Sequence, residues 1–135
     1  ARTKALGELY NDIDLTVRTS IIGPELGENG SGLLDWFFKQ SSQIDGYSEA
    51  YWSGVSTLEL AKAIRELIHQ DISGIYHLCA EEKISKLELL KLCRDVWELS
   101  TDIRSVRGKS VDKSLLCTRT DFEYPKPKYR RMLNE

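Results

Sequence analysis

Apolar positions along the 135 residues fall into short β-branched runs separated by longer stretches of helical period, the pattern of a mixed α/β chain. Ala1 to Leu9 is rich in good helix formers and Asn11-Asp12 signals a turn. Leu15, Val17, Ile21 and Ile22 then form a β-branched run of strand length that ends in Gly23-Pro24. A helix feeding a buried strand is expected there, which is half of a βαβ layout. A short helix is expected from Gly32 to about Gln40, carrying the aromatic cluster Trp36, Phe37 and Phe38. Ile44 to Tyr47 and Tyr51-Trp52 read as short strands around a polar turn. Ser56 or Thr57 caps the next helix, with Glu59 completing an S-x-x-E capping box and Leu60, Ala61, Ile64, Leu67 and Ile68 forming its apolar stripe. Gly74 to Ala80 is a strand that should pair in parallel after this crossover helix. Ser85 and Glu88 repeat the capping pattern for a docking helix with Leu89, Leu90, Cys93, Val96 and Trp97 on one side. Asp102 to Val106 is a strand candidate. Tyr124-Pro125-Lys126-Pro127 is an extended segment leading to a short basic helix through Glu135. The chain has no internal repeat and no low-complexity tract.

Composition narrows the function classes. A chain of this length with 41% hydrophobic residues suits one domain with a single core. Nineteen basic and 21 acidic residues, well mixed and summing to −2, give no positive field for nucleic acid or an anionic membrane, so neither partner is expected. Cys79, Cys93 and Cys117 are an odd set without C-x-x-C spacing, which argues against a disulfide framework and against a metal site and fits a reducing cytoplasm. No run approaches the roughly 20 apolar residues of a membrane span.

Three local features invite chemistry. Gly27, Gly30 and Gly32 precede a helix, but their order does not match G-x-G-x-x-G, so a loop shaped by turn chemistry is preferred to a phosphate cradle. His77 has no nucleophile motif beside it and is read as a packed, hydrogen-bonded strand residue. Trp52 has the chemistry to stack on a base or sugar ring, against the plain alternative of a buried or interface tryptophan.

The order R-T-K-A-L-G-E, a turn, then L-T-V-R-T-S-I-I-G-P, with W-S-G-V-S-T-L-E-L-A and G-I-Y-H-L further on, resembles the extended short-chain dehydrogenase/reductases and most closely their dTDP-4-dehydrorhamnose reductase-like subgroup. The resemblance runs through nearly the whole chain. It implies an α/β fragment, the C-terminal part of a Rossmann-like parallel sheet with substrate-lobe helices and without the Gly-rich dinucleotide-binding half. Residues 1–24 would be the last catalytic helix and its following strand, and 25–135 the substrate lobe.

In that family a tyrosine stands four residues before a lysine, one turn apart on the same helix face. Lys4 fits the lysine, and the tyrosine would stand immediately before Ala1. A phenol has an unperturbed pKa of about 10 and works as an acid near neutrality only if its anion is stabilised, as a nearby ammonium does. Lys4 is therefore the implied catalytic residue and, through the cofactor ribose, a cofactor-binding one; a solvated helix lysine is the plain alternative. Gly23 and Pro24 are implied beside the NAD or NADP of the complete enzyme. Ile21, where relatives often place Asn or Trp, Trp52 and Arg107 are implied at a nucleotide-sugar substrate. Arg104 and Arg107 are candidate substitutes for an absent diphosphate-binding arginine, and V-D-K-S-L-L from Val111 resembles a late D-x-S loop.

The function implied is part of an NAD(P)-dependent reductase of a 4-keto sugar nucleotide, the fragment itself inactive and binding no cofactor. The same residues leave open an epimerase or dehydratase of the superfamily, a non-catalytic reductase-like binding protein, or an unrelated α/β interaction domain. An uncovered strand edge and the Trp36 to Phe38 patch lead us to expect a homo-oligomer.

Overall fold

The computed structural model of the chain describes residues 2–25, 30, 32–122 and 124–135. The elements among them are α1 (Arg2–Leu6), β1 (Leu15–Arg18), β2 (Ile21–Ile22), α2 (Leu33–Phe38), β3 (Ile44–Tyr47), β4 (Ala50–Trp52), β5 (Val55–Ser56), α3 (Thr57–Ile68), β6 (Gly74–His77), β7 (Ile84–Ser85), α4 (Lys86–Val96), β8 (Ile103–Val106), β9 (Val111–Asp112) and α5 (Tyr129–Asn134). Parallel pairing dominates, as the spacing of strands by helices requires. β1 lies against β6 with Leu15 opposite Gly74 and Arg18 opposite His77, and β3 lies against β8 with Ile44 opposite Ile103. β2 pairs with β5, and β4 sits between antiparallel β7 and parallel β9.

The run from Leu15 to Ile22 is not one strand. It changes neighbour at Thr19-Ser20, where the Ser20 carbonyl accepts from the Val55 amide at 2.9 Å. Before that point the chain follows β6 and after it β5. The expected buried strand is consequently half-buried along β1, and Ile21 is exposed while Ile22 is buried. The opening helix is also shorter than the nine favourable residues suggested: α1 has five residues and buries none of them. One turn without a docked apolar face gains little beyond propensity.

α3 corrects the expected stripe. Its buried residues are Glu59, Ala63 and Leu67, whereas Ile64 is 43% and Ile68 74% exposed. The face is turned by one residue because Glu59 is held inward. Its amide caps on Ser56 Oγ at 3.1 Å, but its carboxylate accepts from the Tyr124 hydroxyl at 2.7 Å instead of returning to the Ser56 amide, whose hydrogen goes to Met132 Sδ at 3.5 Å. The C-terminal segment thus takes over half of the capping box. α4, by contrast, has both halves: the Glu88 amide donates to Ser85 Oγ and the Ser85 amide to Glu88 Oε2. Among the described residues Glu59 Oε2 has no hydrogen-bond partner, and Lys62 Nζ lies 3.8 Å from it. Tyr124→Phe would leave a buried carboxylate without its donor and is expected to cost about 2–3 kcal/mol in urea unfolding. Glu59→Gln should cost less, and equal costs would contradict this reading.

Two apolar clusters form the core. One gathers Ile22, Leu34, Phe37, Ile44, Leu89, Leu90, Cys93 and Ile103 under α2 and α4; the other gathers Val55, Ala63, Leu67, Tyr76, Leu78 and Tyr124 under α3. α5 joins them, with Leu133 in the first and Met132 in the second. The aromatic triplet divides accordingly: Phe37 is fully buried, while Trp36 and Phe38 remain 40% and 50% exposed, Phe38 resting on Trp97 with ring centroids 5.0 Å apart.

Candidate functional site

The carboxyl end of β2 opens into a cleft of about 800 Å³, within the range of small-molecule sites. Its position follows from the change of neighbour at Ser20, since in open α/β sheets the crevice lies beyond strand ends where the order switches. Ile21, Ile22, Gly23 and Pro24 form one wall, and Thr57 at the start of α3 forms the floor. Gly23 is needed here: a Cβ would overlap Thr57, with Thr57 Cγ2 at 2.7 Å. The opposite wall is aromatic, built from Tyr47, Tyr51 and Trp52, and the rim carries Lys86, Lys109 and Lys113.

Each rim lysine is placed by an identifiable device. Lys86 is the first residue of α4, set by the Ser85 cap. Lys109 follows Gly108, whose positive φ of 60° turns the chain under the Tyr47 ring. Lys113 lies in the D-x-S loop. There Asp112 Oδ1 accepts from the Ser114 amide at 2.9 Å and hydroxyl at 2.6 Å, Asp112 Oδ2 takes Lys83 Nζ at 2.7 Å, and the Lys113 amide donates to the Tyr51 carbonyl at 3.1 Å. Lys83 also sits 4.6 Å over the Tyr51 ring, steadying it as a cleft wall. The Lys83 hydrogen bond, then those from Ser114, hold the Asp112 carboxyl well below the usual range.

The sign of that shift sets a pH window. A lowered carboxyl pKa contributes stability above the unfolded value, ordinarily 3.8 here, and loses it as pH falls through the lower folded value. Glu8, taken down to about 2 chiefly by its Arg18 hydrogen bond, acts in the same direction, as does Glu88 through the Ser85 amide. Stability should therefore hold from pH 7 to about 5 and fall steadily below about 4. Circular dichroism melts across that range check this, and a protein stabilised by acidification would contradict it.

The residues singled out by resemblance do not all meet. Ile21, Gly23, Pro24 and Trp52 line the cleft together. Trp52 does so while its other face packs on Tyr129, ring centroids 5.9 Å apart, so it is both a wall and a core residue. Lys4 is not in the lining; it stands on the exposed α1. Arg107 is also outside, its Nε on Glu49 Oε1 at 2.6 Å, and Arg104 pairs with Asp45. Of the glycines weighed as a phosphate cradle, Gly27 lies outside the described residues. Cβ atoms at Gly30 and Gly32 would meet the Asp35 and Glu25 carboxylates, so at these two glycines the near neighbours are acidic. His77 is the hydrogen-bonded strand residue expected, with Nδ1 2.9 Å from the Leu116 carbonyl. The rim lysines escaped sequence reasoning because no period links position 86 to 109 and 113. Lys113 inside D-K-S carried the one usable signal.

The cleft can accept a partly apolar, ring-bearing anion. Among the described residues Lys86, Lys109 and Lys113 form no ion pair, and Glu25 is the single carboxylate in the lining. No group of His, Cys, Asp and Glu able to hold a metal occurs among the described residues, and no helix among them is long and apolar enough to cross a membrane.

No protein-family model matches the chain, and no curated protein does. Solved structures do match. The dTDP-4-dehydrorhamnose reductase of Bacillus anthracis in complex with NADP superposes with a TM-score of 0.73 at 18% identity, over 89% of this chain and 46% of its own. The same reductase from Yersinia enterocolitica gives 0.71 at 18% identity, over 89% and 47%. A UDP-N-acetylglucosamine 4-epimerase from Methanobrevibacter ruminantium, in complex with UDP-N-acetylmuramic acid, gives 0.65 at 19% identity, over 89% and 43%. The chain thus spans just under half the length of these proteins. By fold, it is similar to a Rossmann-like α/β portion of a dTDP-4-dehydrorhamnose reductase, with parallel strand pairs and covering helices.

Proposed function

We propose that this chain is the substrate-binding portion of an NAD(P)-dependent sugar-nucleotide reductase of the dTDP-4-dehydrorhamnose reductase kind, acting in the cytoplasm. One observation carries the reading: a cleft at the switch in strand order that sets three cations opposite an aromatic wall. A nucleoside diphosphate sugar has the matching chemistry, with rings for Tyr47, Tyr51 and Trp52 and two phosphates for Lys86, Lys109 and Lys113. Coulombic attraction in a partly dry cleft favours the dianion over neutral sugars.

A nicotinamide dinucleotide fits this chain at one end only. Ile21, Gly23 and Pro24 offer the nicotinamide an apolar wall, whereas the sequence has no G-x-G-x-x-G turn for the pyrophosphate. When bound in the parent enzyme the cofactor supplies a hydride. Lys4 would hold the ribose and lower the pKa of a tyrosine contributed from outside these residues, and the isolated chain would be inactive. Lys4→Ala should leave sugar-nucleotide affinity of the chain within about twofold, while lowering turnover in the parent. The exposed Trp36 and Phe38 support a homo-oligomer, which light scattering would detect.

The direct test is a titration of the chain with a dTDP-sugar, with dTDP and with NADPH, followed by tryptophan fluorescence. Saturable micromolar binding of the first two and none of NADPH supports the reading. Absence of dTDP-sugar binding, or NADPH binding alone, overturns it.

A further inference from the structure

We propose that Lys83, which stands outside the cleft lining, is a specificity-determining residue for it: by backing the Tyr51 ring, it makes that ring, of the three in the aromatic wall, the platform on which the ring-bearing end of an anionic ligand stacks. On the reading of the cleft as a sugar-nucleotide site, on which this rests, Lys83 acts as a positioning residue that touches no ligand itself.

The three wall rings are not equivalent. Trp52 is held by Tyr129, whose ring centroid lies 5.9 Å from its own and whose hydroxyl donates to the Trp52 carbonyl at 3.3 Å, so it serves the core as much as the wall. Tyr47, 44% exposed at the end of β3, rests beside the rim turn, where a Cβ on Gly108 would meet its ring. Tyr51 is fixed on more sides. It lies in β4 between two strands, opposite Ser85 of β7 and Asp112 of β9, and its carbonyl accepts from the Lys113 amide at 3.1 Å. Lys83 Nζ stands 4.6 Å from its ring centroid, within cation–π range. Tyr51 lines the cleft and Lys83 does not, so the ammonium supports the ring from behind.

The ammonium is itself held in place. Lys83 Nζ donates to Asp112 Oδ2 at 2.7 Å, while the Ser114 amide and hydroxyl occupy Asp112 Oδ1. One pair of opposed residues therefore carries the whole device: Tyr51 supplies the ring, and Asp112 across the ladder anchors the cation behind it. A side chain restrained before the ligand arrives gives up less freedom on stacking. A cation at one side of a ring also draws π density towards itself, which suits the other side to a ring edged with carbonyl oxygens and unsuits it to a cationic one. The Lys83 side chain is 50% exposed, so its effect on affinity is several-fold and not orders of magnitude.

Lys83→Met and Asp112→Asn made together remove the ammonium at constant net charge. In isothermal titrations of the full chain this double variant should bind dTDP about fivefold more weakly, while inorganic pyrophosphate, which has the charge without a ring, should change less than about twofold. Lys83→Arg keeps a cation for the ring and a donor for Asp112, and its dTDP affinity should stay within about twofold of the unsubstituted chain. In a Tyr51→Leu background the double change should bring no further loss of dTDP, because the ring through which it acts is gone. Unchanged dTDP affinity in the double variant, or equal losses for dTDP and pyrophosphate, would overturn the proposal and leave the sugar-nucleotide reading standing. No dTDP binding by the unsubstituted chain overturns that reading and this proposal with it. The comparison of dTDP with pyrophosphate needs no change at Tyr51, so a Tyr51→Leu variant that fails to fold does not blunt the test.

Discussion

Gly54→Ala is expected to destabilise the chain by about 3 kcal/mol and to lower its melting temperature by roughly 10 °C or more. Gly54 is buried between β4 and β5, and a Cβ there would overlap both the Ser20 carbonyl oxygen and the Trp52 indole. Rotation of the indole would relieve only its own overlap; the carbonyl is backbone and accepts from the Val55 amide, the hydrogen bond at which the chain changes neighbour. Relieving one overlap would therefore loosen the β2–β5 pair, and relieving the other would push Trp52 into the cleft. Both the melt and ligand binding should suffer. Gly7→Ala is the control: its Cβ would meet nothing nearer than the Lys4 carbonyl oxygen at 3.6 Å, and the melt should shift within about 0.5 kcal/mol of zero. If both glycines behave alike, close approach at Gly54 does not organise the site.

Replacing Lys86, Lys109 and Lys113 together by alanine is expected to weaken binding of a dTDP-sugar by about 10- to 100-fold while leaving the melt nearly unchanged. Each ammonium is on the rim, where solvent reduces a single contact to about 1 kcal/mol or less. The effect comes from removing three like charges that converge on one anion. It should shrink as salt is raised, because screening at 0.15 M acts over about 8 Å. Arg107→Ala provides the decisive contrast. The Arg107 side chain is 82% exposed and tied to Glu49 outside the cleft lining, so its loss should change affinity less than about twofold. A large loss at Arg107 and none at the lysines would place the diphosphate elsewhere.

The parts legible before any coordinates were those encoded locally. Ser85 and Glu88 are three residues apart, and that spacing alone brings amide and carboxylate together at a helix start, so the cap and the buried Leu89, Leu90 and Cys93 face of α4 were readable. The strand at Gly74 and the parallel partner it required were readable for the same reason. The S-x-x-E at Ser56 looked identical, yet its carboxylate serves Tyr124, 65 residues away, and the apolar stripe turned with it. A local pattern cannot record which distant hydroxyl competes for its acceptor. The cleft divides in the same way. Ile21, Gly23, Pro24 and Trp52 were within reach of motif and resemblance, but Lys86, Lys109 and Lys113 come from a helix start and two turns that converge only through the pairing of β4 with β7 and β9.

By itself, then, the order of residues determined the kind of chain this is: helix periods and caps, strand runs, an α/β alternation, and a nearly even charge balance. Those properties arise from contacts within a turn or from totals over the chain. Only the tertiary structure decided where the strand run changes neighbour, which face of α3 is buried, that Arg107 is spent on Glu49, and that three lysines surround one aromatic cleft. The physical reason is that these are outcomes of competition between partners distant in sequence, and the winner is set by the geometry that packing leaves available.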